Sequence, residues 1–446
     1  MLSGPIVRPL VKFALPIAAT SILQQLFNSA DVAVVGKYAG SNALAAVGAN
    51  APVINLLINL FVGLSIGSNV VIAHLIGQND KGEIHKAVHT SISLALISGF
   101  FLAIVGQIAA RPIVSVLSTP PEIVDEAILY LRIYFAGMPF LMLYNFTSAI
   151  MRSCGDTKRP LIVLTISGVI NVILNIIFVV GLGLSVDGVA IATVVATAFS
   201  AITLLIILSR SKSVVRFEIH SLMFDWRMTK RIASIGIPAG LQGVVFSFSN
   251  VLIQNAINSL GANAVAGATT ALNFEYYTYF LANAFGQAAT TFIGQNYGAG
   301  KIDRCRKIIK TCWAGGIIST SVMAVLIVFW AEPLCYLYSS NAIVISLAII
   351  RIYMVTTFQF INSIIEVTSG ILRALDYSIV PTIICVMGVC VVRIIWLYTA
   401  FEYQKTYEML TAVYPFSWII TSISIVIAFV WIWKKKIVVA KKTLQR

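Results

Sequence analysis

The sequence predicts an all-α polytopic membrane protein, with twelve transmembrane helices in two pseudo-symmetric six-helix lobes. Three observations predict it. The 446-residue chain is 59% hydrophobic and 11% charged, with a mean hydropathy of +0.91; ordinary soluble domains carry about 25% charged residues. Apolar runs of the roughly 20 residues needed to cross a bilayer recur from end to end. The second half of the chain also repeats the first.

The expected spans are 12–36, 43–74, 86–110, 124–150, 160–183, 187–209, 231–258, 264–292, 307–330, 343–372, 381–401 and 410–433. Several exceed the bilayer length, so tilt or protrusion is expected. The first run follows Arg8, Pro9 and Lys12, is too long for a signal peptide and lacks a convincing cleavage site. If the N-terminus is cytoplasmic, the inside segments hold 25 of the 31 Lys and Arg residues. The positive-inside rule therefore places both termini in the cytoplasm and the chain in the cell (plasma or inner) membrane as a multi-pass protein. The net charge of +14 is concentrated at 210–231 and 434–446, outside the apolar runs, and indicates no nucleic-acid partner. The six cysteines show no CxxC and the four histidines no ligand spacing apart from His85/His89, which reads as a surface accident rather than a metal site.

The segment 210–230 is the one long charged interruption. It divides the chain into an N-terminal lobe at 1–209, a cytoplasmic linker at 210–230, a C-terminal lobe at 231–433 and a basic tail at 434–446. MRSCGDTKRP (151–160) aligns with LRALDYSIVP (372–381), placing Arg152 over Arg373. IGQN occurs at 76–79 and at 293–296, and LPIAA (15–19) matches IPAGL (237–241) around Pro16 and Pro238. Each offset comes close to half the length of the chain, which marks a duplication. With an even number of spans each, the copies share one orientation, and a cavity is expected between them near the midplane.

Polar residues inside the spans are the candidate functional groups, because an intramembrane charge costs at least ~2.5–3.5 kcal/mol on insertion scales. Gln24, Asn28 and Asp31 fall at i, i+4 and i+7, one side of the first helix, with Phe27 beside them. The fifth span offers Ser167, Asn171 and Asn175 on one face, and the sixth offers Thr193. The eighth carries Glu275, Tyr279, Asn283 and Gln287, each four apart; Glu366 lies in the tenth and Arg393 in the eleventh. Glu275 reads either as a substrate-cavity group or as the ion-pair partner of Arg393. Pro16 permits a kink fifteen residues before Asp31. Arg152/Asp156 and Arg373/Asp376 read either as latches of a cytoplasmic gate or as helix caps.

The double IGQN, the RSCGDTKRP element after the fourth span, and the six-plus-six repeat resemble the multidrug and toxic compound extrusion (MATE) family over about residues 10–433. The resemblance implies a MATE-type fold and export of organic cations and other amphipathic compounds, driven by inward H⁺ or Na⁺. It implies that Asp31, with Asn171, Asn175 and Thr193, forms the ion-coupling site. Gln24, Phe27, Asn28, Glu275, Tyr279 and Asn283 would line the substrate cavity, and Pro16, Arg152 and Arg373 would act in gating. Many family members have a second aspartate where Asn175 stands, so this chain favours H⁺ over Na⁺. The C-terminal half lacks the acids of the sodium-coupled NorM-like branch and looks closer to the DinF-like branch.

No P-loop, Rossmann fingerprint or nucleophile elbow occurs, so ATP on this chain is not the energy source and no enzyme is expected. No cofactor or resident metal is expected; H⁺ or Na⁺ would be cargo. The expected partners are a small organic cation or amphipathic substrate and the lipid bilayer, with the protein a monomer. A lipid-linked saccharide flippase of the same superfamily and a non-transport receptor or enzyme stand as alternatives.

Overall fold

A computed structural model describes residues 1–116 and 120–444, with the side chains at 41, 49, 51–53, 116 and 437–444 left aside. The last two residues of the expected basic tail therefore lie outside the described residues. Among the described residues, twelve long helical segments run in the expected order: α1 Val7–Ala39, α2 Ser41–Gln78, α3 Lys81–Val116, α4 Pro121–Ala136 with Met138–Ser153, α5 Lys158–Gly181, α6 Val186–Ser209, α7 Trp226–Ser259, α8 Ala262–Gly298, α9 Ile302–Phe329, α10 Ala342–Thr356 with Gln359–Ala374, α11 Ile379–Phe401, and α12 Tyr407–Lys436. Nine helices of this described part are long and apolar enough to cross a membrane, and eleven when each bent pair counts as one span. The twelfth is α8. It is rich in Ala, Thr, Gly and Asn, and it buries Glu275, Thr278, Gln295 and Asn296 instead of presenting apolar side chains to lipid.

Two expected spans are broken. α4 bends by 45° at Gly137, ahead of Pro139 in the first turn of its second half. α10 bends by 44° after a wider π-type turn at Ile352–Thr356. Neither break interrupts the apolar character, so hydropathy alone reads straight through both.

The repeat is visible in the helix ends. Left-handed or otherwise positive φ values occur at Gly40 and Gly261, at Asn79 and Gly300, and at Gly155 and Asp376, and the separation along the chain is the same in all three pairs. The last four residues close Schellman motifs. For example, the Asp156 amide donates to the Met151 carbonyl (3.0 Å) and the Tyr377 amide to the Leu372 carbonyl (2.9 Å). This constant spacing corrects the motif alignment: the first IGQN ends on its cap, whereas the second lies one turn inside α8.

The chain forms two compact units, Ala19–Gly240 and Met1–Ala18 with Leu241–Arg446. Their limits differ from the lobe boundaries expected at the linker, and packing supplies the reason. In the first unit, Gly63 and Gly67 of α2 oppose Gly236 and Gly240 of α7 so closely that added Cβ atoms would strike the Gly240 and Ile232 backbone. In the second, Leu10, Phe13, Ala14 and Ile17 of α1 are buried, and the Phe13 ring meets Phe292 edge-on at 5.4 Å. Arg304 also binds the carbonyls of Met1, Ser3 and Gly4 at 2.9–3.2 Å. The chain thus passes between units twice, both times inside a helix and two residues after a proline, Pro16 or Pro238.

The segment between α6 and α7 is docked rather than loose. His89 is buried; its Nδ1 meets the His85 carbonyl (2.7 Å), and its Nε2 meets the Glu218 amide (3.0 Å) and carbonyl (3.1 Å). His89 is therefore a clamp on the linker, not a surface accident. Asp225 caps α7 by accepting the Met228 amide at 2.8 Å, so that helix starts five residues before the expected span.

Gly67→Ala is expected to lower the unfolding midpoint in detergent, at an overpacking cost of about 1–3 kcal/mol. Gly181→Ala, where a Cβ meets nothing within 4 Å, should leave the midpoint unchanged. Equal midpoints would sink the close-packing account.

Candidate functional site

The N-terminal part of the site lies within the Ala19–Gly240 unit. Asp31 is half-buried on α1, one turn before that helix widens into a π-type turn at Val35–Ala39. α5 widens likewise, directly after Asn175, at Ile176–Gly181. Asn175 is fully buried and donates from Nδ2 to Asp31 Oδ1 at 2.5 Å. The same nitrogen lies 3.4 Å from Asn171 Oδ1, and Asn171 Nδ2 lies 3.4 Å from Thr193 Oγ1. Thr193 donates to the Val189 carbonyl (2.9 Å), and its hydroxyl also faces Asp31. Ser167 turns away and donates to the Ala196 carbonyl (2.7 Å). The structure thus brings Asp31, Asn171, Asn175 and Thr193 into one network of a carboxyl, two amides and a hydroxyl.

That network holds an unfilled acceptor. Asn175 Oδ1 is buried and has no hydrogen-bond partner among the described residues. An unsatisfied buried acceptor costs about 1–3 kcal/mol, so this oxygen suits a water, a proton-bearing group or a small cation. A small cavity lined by Tyr134, Gly137, Leu141, Thr193, Val194 and Thr197 adjoins the network at Thr193. It opens where α4 bends. Its Tyr134, stacked with Tyr130 at 5.9 Å, does not stand out in the sequence, where the i, i+4 spacing of the two tyrosines is the available signal.

The remaining expected cavity residues of this unit do not join the network. Gln24 and Asn28 are exposed and make no hydrogen bond among the described residues. Phe27 lies against Gly168 of α5, where an added Cβ would collide with its ring. It serves helix packing as much as any ligand.

The expected residues of the C-terminal half belong to the other unit. Glu275 is not a free cavity acid, and its partner is not Arg393. Arg351 binds it in a two-pronged pair, Nε to Oε1 at 2.6 Å and Nη2 to Oε2 at 3.0 Å, with both residues buried. The guanidinium fork matches the carboxylate and satisfies both oxygens, which is the arrangement a buried pair needs. Tyr279 is half-buried beside Phe280, and Asn283 donates to Glu366 Oε2 at 3.4 Å while accepting from Gln287 at 2.7 Å.

Of the two loop pairs read as latches or as helix caps, the first shows the cap. Asp156 accepts the Arg159 amide (3.2 Å) and pairs with its guanidinium (3.4 Å), capping α5, and Arg152 makes no ion pair among the described residues. Arg373 donates to Gln242 of α7 at 2.8 Å. The reason is local: a cap holds Asp156 over the first turn of the next helix, facing Arg159.

A family model, MatE, matches residues 16–177 and again residues 238–399. The chain belongs to the MatE family. The two matches begin half a chain apart, in agreement with the repeat seen in the motifs and in the helix caps. Over 441 residues the chain is 26% identical to the probable multidrug resistance protein YoeA of Bacillus subtilis (strain 168), covering 96% of this chain and 94% of that protein. Over 398 residues it is 26% identical to the probable multidrug resistance protein NorM of Thermotoga maritima, covering 87% and 84%. A solved outward-facing MATE transporter of the MOP superfamily has the same fold, with a TM-score of 0.90 over 99% of this chain and 98% of that one, at 22% identity. This MatE chain is a multi-span membrane transporter, and the receptor and enzyme alternatives fall away.

The Glu275–Arg351 pair makes a testable prediction. Glu275→Gln leaves a buried guanidinium uncompensated and is expected to destabilise the protein by about 3–5 kcal/mol, read as a fall in the detergent unfolding midpoint. Glu275→Gln combined with Arg351→Met should recover most of that loss. A single variant as stable as wild type would refute the pairing.

Proposed function

We propose that this MatE transporter is a secondary-active antiporter that exports organic cations and amphipathic drugs, and that Asp31 is the group through which inward H⁺ drives export. The observation that carries the reading is the setting of Asp31: a single carboxyl on a membrane-spanning helix, hydrogen-bonded by Asn175 and surrounded by neutral side chains. Its partners are amides and a hydroxyl, so no fixed counter-charge has to be displaced when it gains or loses a proton. A group so placed can take a proton from one side and give it up to the other. Asn175 favours H⁺ over Na⁺, because it presents a donor to Asp31 and supplies no second negative charge.

In this scheme the carboxylate form of Asp31 holds a cationic compound electrostatically. Protonation from outside cancels that attraction and frees the compound. Return of the empty transporter delivers the proton inside. Pro16 and the segment after it form the hinge of α1. The loop distribution of basic residues supports cytoplasmic termini, and in this reading the protein acts as a monomer in the cell membrane. The names of its relatives support drugs as the exported class, and the two-fold MatE match supports alternating access by two related units.

In proteoliposomes loaded with a fluorescent cationic dye, an imposed inward H⁺ gradient should drive dye export by wild type, and Asp31→Asn should lower that export at least ~10-fold, the scale of losing one charge-assisted interaction. Export driven by a Na⁺ gradient alone would reassign the ion. Equal export by wild type and Asp31→Asn would remove Asp31 from coupling. Pro16→Ala should slow transport while leaving dye binding within about 2-fold, a change too small to count as a lost contact. Unchanged transport would make the proline a static kink.

A further inference from the structure

The segment between α6 and α7 carries apolar surface that its own packing leaves uncovered. Val215 and Phe217 turn inward and are buried, and the Phe217 ring lies 5.2 Å from that of His89. Val214, Ile219, Leu222, Met223, Phe224 and Trp226 turn outward and are between 38% and 69% exposed. A contiguous run of exposed large apolar side chains marks an interaction surface. The segment is also pinned along α3. Beyond the His89 clamp, Ser93 Oγ donates to the Met223 carbonyl (2.8 Å), and the Asp225 amide donates to Thr90 Oγ1 (3.2 Å).

The pinning points fix the depth of the segment. On α3 the first exposed large apolar residue is Ile97, followed by Phe100, Phe101, Ile104 and Ile108 on the same face. A wholly apolar exposed face on a spanning helix meets lipid tails. Ser93 lies one turn before Ile97 and Thr90 two turns before it, about 6 and 10 Å along the helix axis. The headgroup layer adds roughly 5–8 Å on each side of the hydrocarbon core. Interfacial segments sink their apolar faces about 5–10 Å into its inner boundary. Met223–Asp225 therefore run at headgroup level rather than in bulk water. Trp226, the first residue of α7, is a residue type that favours that level. The end of α6 agrees, since exposed Ile206 lies one turn before exposed Arg210.

The charge of the segment says which headgroup it meets. Residues 210–231 carry six Lys and Arg against two acids, Glu218 and Asp225. Both acids are engaged: Asp225 caps α7, and Glu218 pairs with Arg216 at 3.6 Å. Arg231 is taken up by His74, with Nη2 3.4 Å from Nδ1. That leaves Arg210, Lys212, Arg227 and Lys230, all exposed, with the Lys230 ammonium 5.4 Å from the centre of the Trp226 ring. Basic groups flanking exposed apolar ones fit a surface that is apolar beneath and negative on top. We propose that the 210–231 segment is a binding surface for anionic phospholipid. Leu222, Phe224 and Trp226 enter the acyl boundary, and Arg210, Lys212, Arg227 and Lys230 hold the headgroup phosphates. The surface lies wholly within the Ala19–Gly240 unit and is separate from the Asp31 network.

The test places the purified full chain in phosphatidylcholine nanodiscs that contain the same fraction of either brominated phosphatidylglycerol or brominated phosphatidylcholine. The signal is the tryptophan fluorescence that Trp226→Phe removes. Brominated phosphatidylglycerol should quench it about 2-fold or more above brominated phosphatidylcholine, because each basic group near an anionic surface is worth about 5-fold in association. The preference should fall as NaCl is raised. It should vanish when Arg210, Lys212, Arg227 and Lys230 are all replaced by Gln, while quenching by brominated phosphatidylcholine persists. The ratio of the two lipids is taken within each protein, so the contact of Lys230 with the ring cancels. If the four-fold variant misfolds, the wild-type ratio and its salt dependence decide alone. Absence of quenching by both lipids would put the segment off the bilayer and overturn the proposal. Equal quenching by both, or a preference kept in the four-fold variant, would remove the anionic headgroup. Loss of the preference in inorganic phosphate but not in NaCl of the same ionic strength would assign the basic groups to free phosphate and overturn it too.

Discussion

A charged group on a membrane-spanning helix has no bulk water to turn to, so its partners must come from neighbouring helices. The polar side chains of this protein are arranged under that constraint, and the two units meet it differently. In the unit of residues 19–240, Asp31 is held by the neutral amide of Asn175, which stabilises the carboxylate without cancelling its charge. In the other, Glu275 is cancelled outright by Arg351. The first arrangement leaves the carboxyl without a fixed counter-charge. The second is a fixed strut, since removing either charge strands the other.

The same constraint explains which helix looked least like a span. α8 carries few large apolar residues because most of its surface is enclosed by other helices. Its glycines and alanines let neighbours approach to backbone distance, as where Gly286 of α8 meets the Glu366 and Gly370 backbone of α10. Close backbone packing takes the place of hydrophobic contact where lipid supplies no driving force for helix association. The Gly63/Gly67 and Gly236/Gly240 contact between α2 and α7 follows the same rule.

What could be read from the sequence follows from the range of each interaction. Spans and repeat were legible because hydropathy and motif spacing are properties of the chain itself. The Asp31 network was legible in part, because Asn171 and Asn175 share a helical face and a lone intramembrane acid requires partners. The partner of Glu275 was not: Arg351 lies two spans further along the chain, on a helix whose bend no proline or charge announces. The register of the IGQN repeat misled by one turn, because four matching letters outweighed the caps that end the helices. His89 went unrecognised because it binds backbone atoms of the linker, and backbone atoms leave no signature in sequence.

The passage of the chain between units within α1 and α7 bears on how the molecule is made. Residues 1–18 precede the whole intervening unit in the chain, yet the remainder of their unit begins at Leu241. The opening of α1 therefore enters the bilayer long before its permanent neighbours exist. The intervening unit closes only when Gly240 has been added, since α7 supplies its last packing surface against α2. Assembly is consequently interlaced: the opening of α1 must wait for segments beyond Gly240 before its packing is complete.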